Sequence, residues 1–280
     1  MKVLTFIPTL NAEEFISDQI RMLKKQSIKT DIFIVDSGSE DNTLQILQKE
    51  KINYKEILKT EFNHALTRNE VLKYKDYDYY LFLTQDAVPC NEFMIENMLK
   101  KFNNDMVKIV YSRQIPYSFS DDIERFAREY NYPKQNIIKT FNNIKKMGIK
   151  TFFTSNSCCM YDAKYFQRKK GFNKTNVSED MEFAYRCIMD GYAVVYAADS
   201  TVCHSHVYSL KDLYKRYFEI GKFFCYHKNI YKYLNIQDGG EQTKYIFKRL
   251  LEKKAFLSIF KLFIQVFIKY VAFKKGQKGC

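Results

Sequence analysis

Apolar runs alternating with polar, helix-periodic stretches dominate the first hundred residues. KVLTFIPTL, DIFIVDSGS, NYKEIL and YYLFLT each gather β-prone side chains, and the segments 12–26, 42–51 and 66–74 between them carry helical spacing. Strands separated by roughly 25 to 30 residues, with helices between, read as βαβ units. The pattern predicts an α/β fold, Rossmann-like, with a mainly parallel central sheet flanked by helices. Farther on, VKIVYSRQIP and TFFTSNSCCMY read as strands on either side of a polar stretch, 118–150, that is helical in part. SEDMEFAYRCIMDGY then predicts a helix with Ser178 at its N-cap and Gly191 at its stop, and AVVYAADSTV predicts a last strand.

From Leu210 the pattern turns wholly helical. Within AFLSIFKLFIQVFIKYVAF the polar positions Ser258, Lys261, Gln265 and Lys269 recur every three or four residues, one narrow stripe on an otherwise apolar helix. The lysines interrupt each run long enough to cross a bilayer, so the expectation is an in-plane interfacial helix. Lys253, Lys254, Lys274, Lys275 and Lys278 would then lie near lipid head groups. Packing against the body of the protein, or against a second copy, is the alternative. The organisation expected is a body over 1–210, in halves 1–100 and 101–210, and a helical extension over 211–280.

Charge sharpens this division. The 280 residues carry 45 Lys or Arg against 32 Asp or Glu, and 16 of those cations face only 5 acids beyond residue 210. The net charge of +13 therefore belongs mainly to the extension, which suits an anionic membrane surface better than nucleic acid. Seven cysteines, an odd number without a CxxC pair, argue against a disulfide framework and for a reducing cytoplasm. The opening apolar run is too short for a signal segment.

In open α/β sheets ligands gather at the carboxyl ends of the strands, and four such ends carry polar groups here. Pro8, Thr9 and Asn11 follow the first strand and Asp36 ends the second. Gln85 and Asp86 follow YYLFLT, and His204 and His206 follow the last strand. A lone carboxylate there suits a divalent cation held against a diphosphate. A neutral imidazole could complete the ligand set, although residues two apart on a strand point the same way and spacing does not choose between His204 and His206. A zinc site built from Cys203 with the two histidines lacks a second thiolate pair.

PTLNAEE (8–14), IVDSGSEDNT (34–43), FNHALTRN (62–69), LFLTQDA (81–87), SEDMEFAYR (178–186) and HSHVYSL (204–210) together resemble a family 2 glycosyltransferase of GT-A fold. FNHxxTRN, FLTQDA and HSH are similar, more narrowly, to bacterial rhamnosyltransferases that use dTDP-rhamnose. The resemblance spans roughly residues 1–225. It implies that Pro8, Thr9, Asn11, Asp36, Arg68, Gln85 and Asp86 bind the nucleotide sugar, with Asp36 accepting from the nucleobase. Asp36 also fits a turn, since DSGSEDN is good turn chemistry. Arg68 would pair with phosphate or with Asp36, and His64 is a further candidate.

The resemblance implies that Asp86, with His206 or His204, holds Mg²⁺ or Mn²⁺. The usual Asp-x-Asp element is Thr84-Gln85-Asp86 here, one acid fewer. Asp180 would be the catalytic base, with Glu179 beside it binding acceptor or substituting for it; first-turn helix acids are the plain alternative. Ser155, Asn156 and Ser157 could touch sugar or acceptor.

The implied activity is inverting transfer of L-rhamnose from dTDP-β-L-rhamnose to a lipid-linked oligosaccharide for a bacterial surface polysaccharide (O-antigen, capsule or cell wall). The enzyme would sit at the inner face of the plasma membrane, with homo-oligomers through the C-terminal helices as an option. Rival readings are a UDP-sugar donor, a nucleotidyltransferase and a non-enzymatic basic membrane scaffold. A nucleotidyltransferase would need a Gly-rich phosphate loop after the first strand, and PTLNAEE has none.

Overall fold

The computed structural model describes residues 1–206 and 208–279, apart from the side chains of 236–238. Val207 of the HSHVYSL motif and Cys280 lie outside the described residues. The strands are β1 (Val3–Thr9), β2 (Asp31–Asp36), β3 (Asn53–Glu56), β4 (Tyr79–Leu83), β5 (Val88–Pro89), β6 (Val107–Ile115), β7 (Ile137–Lys139), β8 (Cys158–Asp162) and β9 (Ala193–Cys203). They form one sheet in the order β3-β2-β1-β4-β8-β6-β9-β5, with β7 also on β9.

The parallel pairs are β1·β2, β1·β4, β2·β3 and β6·β9. Antiparallel β8 lies between β4 and β6 and thereby restores their common direction. β1, β2, β3, β4, β6 and β9 thus share one carboxyl edge, and the short β5 and β7 run against β9. β1 is buried along its whole length, as a central strand covered on both faces must be.

Helices cover both faces: α1 (Glu13–Lys24), α2 (Thr43–Lys49), α3 (His64–Arg68), α4 (Met94–Leu99), α5 (Asp122–Asn131), α6 (Ile144–Met147), α7 (Ala163–Arg168) and α8 (Glu179–Met189). The extension supplies α9 (Leu210–Tyr226), α10 (Lys228–Tyr231), α11 (Ile236–Glu252) and α12 (Phe256–Lys278). TFFTSNSCCMY is strand only from Cys158; a 3₁₀ turn over Gly148–Phe152 precedes it. Gly191, at φ 87°, takes the left-handed position that ends α8, as its place in the sequence suggests.

The extension is built into the body. Phe223, Phe224 and Ile230 join the main core with Phe82, Tyr161 and Phe183, and Ile246, Leu250 and Leu262 close a smaller core with Ile123 and Phe126 of α5. α9 and α12 meet at Gly221 and Gly276. A Cβ on Gly221 would stand 2.3 Å from the Phe273 carbonyl oxygen, and one on Gly276 2.1 Å from that of Phe218. The two backbones are therefore in direct contact.

α12 is long and apolar enough, by length and composition alone, to cross a membrane, which departs from the reading that its lysines forbid this. Its polar stripe also faces elsewhere than expected. Lys261, Gln265 and Lys269 turn inward to a cavity in the body, while Phe256, Leu257, Phe260, Phe263, Phe267 and Tyr270 are exposed. Cys90, Cys158, Cys159, Cys187 and Cys203 are free thiols, whereas Cys225 is disulfide-bonded, a pairing that the odd count and the lack of a CxxC spacing did not suggest.

Candidate active site

The loop after β4 is held from two sides before it presents its acid. The buried Gln19 amide of α1 donates to the carbonyls of Thr84 and Ala87, both at 2.7 Å. The Gln85 amide accepts from Leu10 N at 2.7 Å and donates to Leu10 O at 2.9 Å. Gln85 therefore ties the β4 loop to the β1 loop with both ends of its side chain. Tyr117 Oη donates to Asp86 O at 3.0 Å.

β5 then pairs with β9, Val88 opposite Cys203, and this carries the residues after β9 to Asp86. A bulge in β9, where Ser112 pairs with Ala197 and Arg113 with Thr201, sets how far that strand reaches. His204 Nε2 lies 3.4 Å from Asp86 Oδ1 and His206 Nδ1 lies 3.4 Å from Asp86 Oδ2. One ligand atom from each of the three residues falls within 4.8 Å of the others. Both histidines thus reach the carboxylate. Cys203 turns away toward Cys90, with the sulfurs 2.8 Å apart, and joins no metal-type cluster among the described residues.

The His204 tautomer follows from its other nitrogen. Nδ1 stands 2.8 Å from Gln114 Oε1, an acceptor, so Nδ1 carries the proton and Nε2 a lone pair. That buried Nε2 has no hydrogen-bond partner among the described residues and faces a carboxylate oxygen. Two acceptors opposed in this way are what a shared cation relieves. Imidazole and carboxylate together suit Mn²⁺ or a similar ion, and three protein ligands leave positions for other oxygens. Burial, then His204, pushes the His206 pKa down to about 3, so its ring is neutral and its lone pair free.

Gln114 is in turn held by Ser155 Oγ, to which its Nε2 donates at 2.8 Å, and by Arg128, whose Nη1 donates to Oε1. Arg128 Nε pairs with Glu124 Oε1 at 2.7 Å. This outer layer fixes the His204 ring as metal-site partners do.

The carboxylate pair on α8 lies across the same cavity, a space of about 620 Å³ lined by His64, Arg68, Thr84, Asn156, Glu179, Asp180, His204, His206, Tyr208 and Arg216 among others. Ser178 precedes the pair in the left-handed conformation, φ 62°, uncommon for a residue with a side chain. It occupies the N-cap position expected of it, although its side chain makes no cap hydrogen bond.

The two acids have different partners. Glu179 pairs with buried Arg68 at 3.1 Å and accepts from Asn156 Nδ2 at 3.0 Å. Burial alone would raise its pKa, yet the charges of Arg68 and His64 lower it. Among the described residues Asp180 accepts from backbone N–H groups alone, those of Asn156 at 3.2 Å and Met181 at 2.8 Å. Burial, then the charge of Glu179, pushes its pKa up to about 7. A carboxyl poised there can take and give a proton near neutral pH, the behaviour required of a general base.

Arg68 was expected to meet phosphate or Asp36; it is tied to Glu179 and to the His64 carbonyl at 3.0 Å, because α3 packs toward the start of α8. Asp36 is fully buried, and Thr9 Oγ1, Gly38 N, Ser39 N and Ser39 Oγ all donate to it. Its carboxylate builds the loop after β2, the turn role, with none of its surface open to a ligand in this conformation. Asn11, at φ 51°, accepts from Glu40 N and fastens that loop to the one after β1. Among the described residues the cavity wall includes no part of Pro8–Asn11 or of the Asp36 turn; Leu10 ties the first of these to Gln85, next to Asp86. Ser155, Asn156 and Ser157 do line the wall.

Gln19, Gln114, Arg128 and Arg216 carry no sequence signal that marked them. Arg216, on α9, lies over the Tyr208 ring at 5.6 Å and opens onto the cavity.

A family model described as glycosyl transferase family 2 matches residues 5–168. The O-antigen chain rhamnosyltransferase RfbN of Salmonella typhimurium is 34% identical over 99% of this chain and 90% of its own length. WbaN of Salmonella anatum, described in the same words, is 34% identical over 91% and 82% respectively. Among solved structures, a Pyrobaculum calidifontis mannosyltransferase in complex with GDP-Man and Mn²⁺ superposes with a TM-score of 0.68 at 14% identity, over 99% of this chain and 87% of that one. S. aureus TarS residues 1–349 with UDP-GlcNAc gives 0.58 at 14% identity, over 99% and 91%. These two likenesses establish a shared GT-A-type fold. With this fold, a cavity that joins an Asp-His-His cluster to an acid pair, and those relatives, the chain belongs to the family 2 glycosyltransferases.

Proposed function

We propose that this enzyme transfers L-rhamnose from dTDP-β-L-rhamnose, with inversion, to a growing glycan on a lipid carrier in a bacterial surface polysaccharide. The observation that carries the reading is that His204 and His206, clustered with Asp86, share the wall of one cavity with Asp180. The rhamnose assignment draws its support from the two relatives described as O-antigen chain rhamnosyltransferases.

Asp180 takes the proton of the acceptor hydroxyl as its oxygen bonds to the anomeric carbon and the bond from that carbon to the diphosphate breaks. Attack from the face opposite the leaving group inverts the centre. Asp86, His204 and His206 would hold Mg²⁺ or Mn²⁺, which supplies positive charge against the departing diphosphate. Arg216 adds a fixed cation on the same wall. Glu179, held ionised by Arg68, keeps its charge beside Asp180 and so sustains the basicity of that carboxylate. The loops bearing Thr9, Asn11 and Asp36 shape the nucleoside side.

The exposed aromatic face of α12, among the cations of the extension, suits attachment to the inner face of the plasma membrane. Incubation with Mn²⁺, an acceptor glycolipid and a panel of labelled nucleotide sugars tests the donor. Turnover of dTDP-rhamnose supports the reading. Turnover of a UDP-sugar alone would replace the donor and leave the site chemistry standing.

A further inference from the structure

α12 has two unlike faces, and both are in use. Its inward edge places Lys261, Gln265 and Lys269 on the wall of the catalytic cavity. Its outward edge exposes Phe256, Phe260, Phe263, Phe267 and Tyr270, at steps of four, three, four and three, a continuous aromatic stripe. An apolar stripe left bare on one side of a helix whose other side lines an active site fits a ligand that is itself amphiphilic.

The two lysines differ in their partners. Lys261 pairs with Asp121 at 2.6 Å. Lys269 has no carboxylate in ion-pair range among the described residues; its ammonium lies 5.5 Å from the centre of the Tyr217 ring. A cation on a cavity wall, over one ring and without an acid partner among the described residues, is free to receive an anion. The donor diphosphate already has the Asp86 cluster and Arg216, so these lysines are surplus to it.

Resting on the function proposed above, we propose that Lys261, Gln265 and Lys269 form an anion subsite for the acceptor. It would grip the phosphate that joins the glycan to its lipid, while the lipid chain leaves along the aromatic stripe into the bilayer. The extension is then a substrate-binding element as well as an anchor, and selects acceptors that carry both a phosphate and a long apolar chain.

Calorimetric titration of the full chain with farnesyl diphosphate tests this, with saturating dTDP and Mn²⁺ present to occupy the donor side. Wild-type protein should bind it, Lys269→Gln should weaken binding about tenfold, Lys269→Arg should restore most of it, and Lys261→Gln combined with Lys269→Gln should weaken it further. Affinity for dTDP with Mn²⁺ should stay the same in all four proteins. Farnesol and inorganic diphosphate, titrated in parallel, should both bind at least tenfold more weakly than farnesyl diphosphate. Equal binding of farnesyl diphosphate by wild type and the double variant would overturn the subsite, and equal binding of inorganic diphosphate would overturn its lipid character. Failure of wild type to bind dTDP with Mn²⁺ would instead strike the donor assignment, so the two readings fail separately.

Discussion

Arg68 and Glu179, 111 residues apart, form a buried ion pair at 3.1 Å, with 3% and 8% of their side chains exposed. The pair joins α3 to the start of α8 and fixes a negative charge directly beside Asp180. Breaking such a pair strands an uncompensated charge. Arg68→Ala is expected to cost roughly 3–5 kcal/mol in denaturant unfolding. Arg68→Met combined with Glu179→Met, which removes both charges, should cost clearly less than the sum of the single changes.

The raised pKa of Asp180 sets the acid limb of the pH profile. Below about 7 the carboxyl is protonated and cannot accept a proton, so kcat/KM should fall about tenfold per pH unit on that side. Glu179→Gln removes the neighbouring charge that raises this pKa and should move the limb to lower pH. Stability runs the other way. A group with a raised folded-state pKa contributes stability below its unfolded value, near 3.8, and loses it as pH rises through about 7. Asp180→Asn should therefore melt higher than wild type at pH 8, with the gap closing toward pH 4, while activity drops by about 10²- to 10⁴-fold.

Metal affinity should depend on Gln114 although Gln114 ligates nothing. Its Oε1 fixes the proton of His204 on Nδ1 and leaves Nε2 to face Asp86. Gln114→Ala is expected to weaken Mn²⁺ binding about 10- to 100-fold, measured by the paramagnetic signal of free Mn²⁺ during titration. Asp86→Ala and His206→Ala should weaken it further, and chelator should abolish transfer by wild-type protein.

Gly276 and Gly221 set how closely α12 and α9 approach. Gly276→Val would drive side-chain atoms into the Phe218 carbonyl, 2.1 Å from the position of a Cβ. The expected loss is at least the roughly 1–3 kcal/mol of an overpacked contact, read by chemical denaturation. Because Lys269 rides on the same helix, acceptor KM should rise while donor KM stays near wild type.

The outline of the fold was legible in the sequence because strands buried on both faces read as unbroken apolar runs. VLTFIPT and YYLFL are such runs, and the polar residues that follow them, Asn11 and Asp86, fall on the shared carboxyl edge. The meeting of Asp86 with both histidines was half legible. Residue types and strand ends were evident, but the choice between His204 and His206 depended on the β5·β9 pairing and the β9 bulge, which spacing does not encode.

Contacts that span the chain left no local trace. Arg68 could be singled out as a site cation, but its partner on α8 could not, and Gln19, Gln114 and Arg128 look like any polar residues. The stripe Lys261, Gln265, Lys269 was read as one helix face, and of the two surroundings left open for the helix, membrane surface or the body of the protein, these three side chains take the second. A polar stripe has the same period whether water, lipid head groups or a cavity lies beside it.

The geometry of the metal group admits the most direct test. Crystals grown with Mn²⁺ and dTDP, with data collected at the manganese absorption edge, should show one strong anomalous peak bonded to Asp86, His204 Nε2 and His206 Nδ1, with diphosphate oxygens completing its coordination and Asp180 across the cavity. A manganese peak elsewhere, or nucleotide seated away from the Asp86 loop, would contradict the site on which the proposed sugar transfer depends.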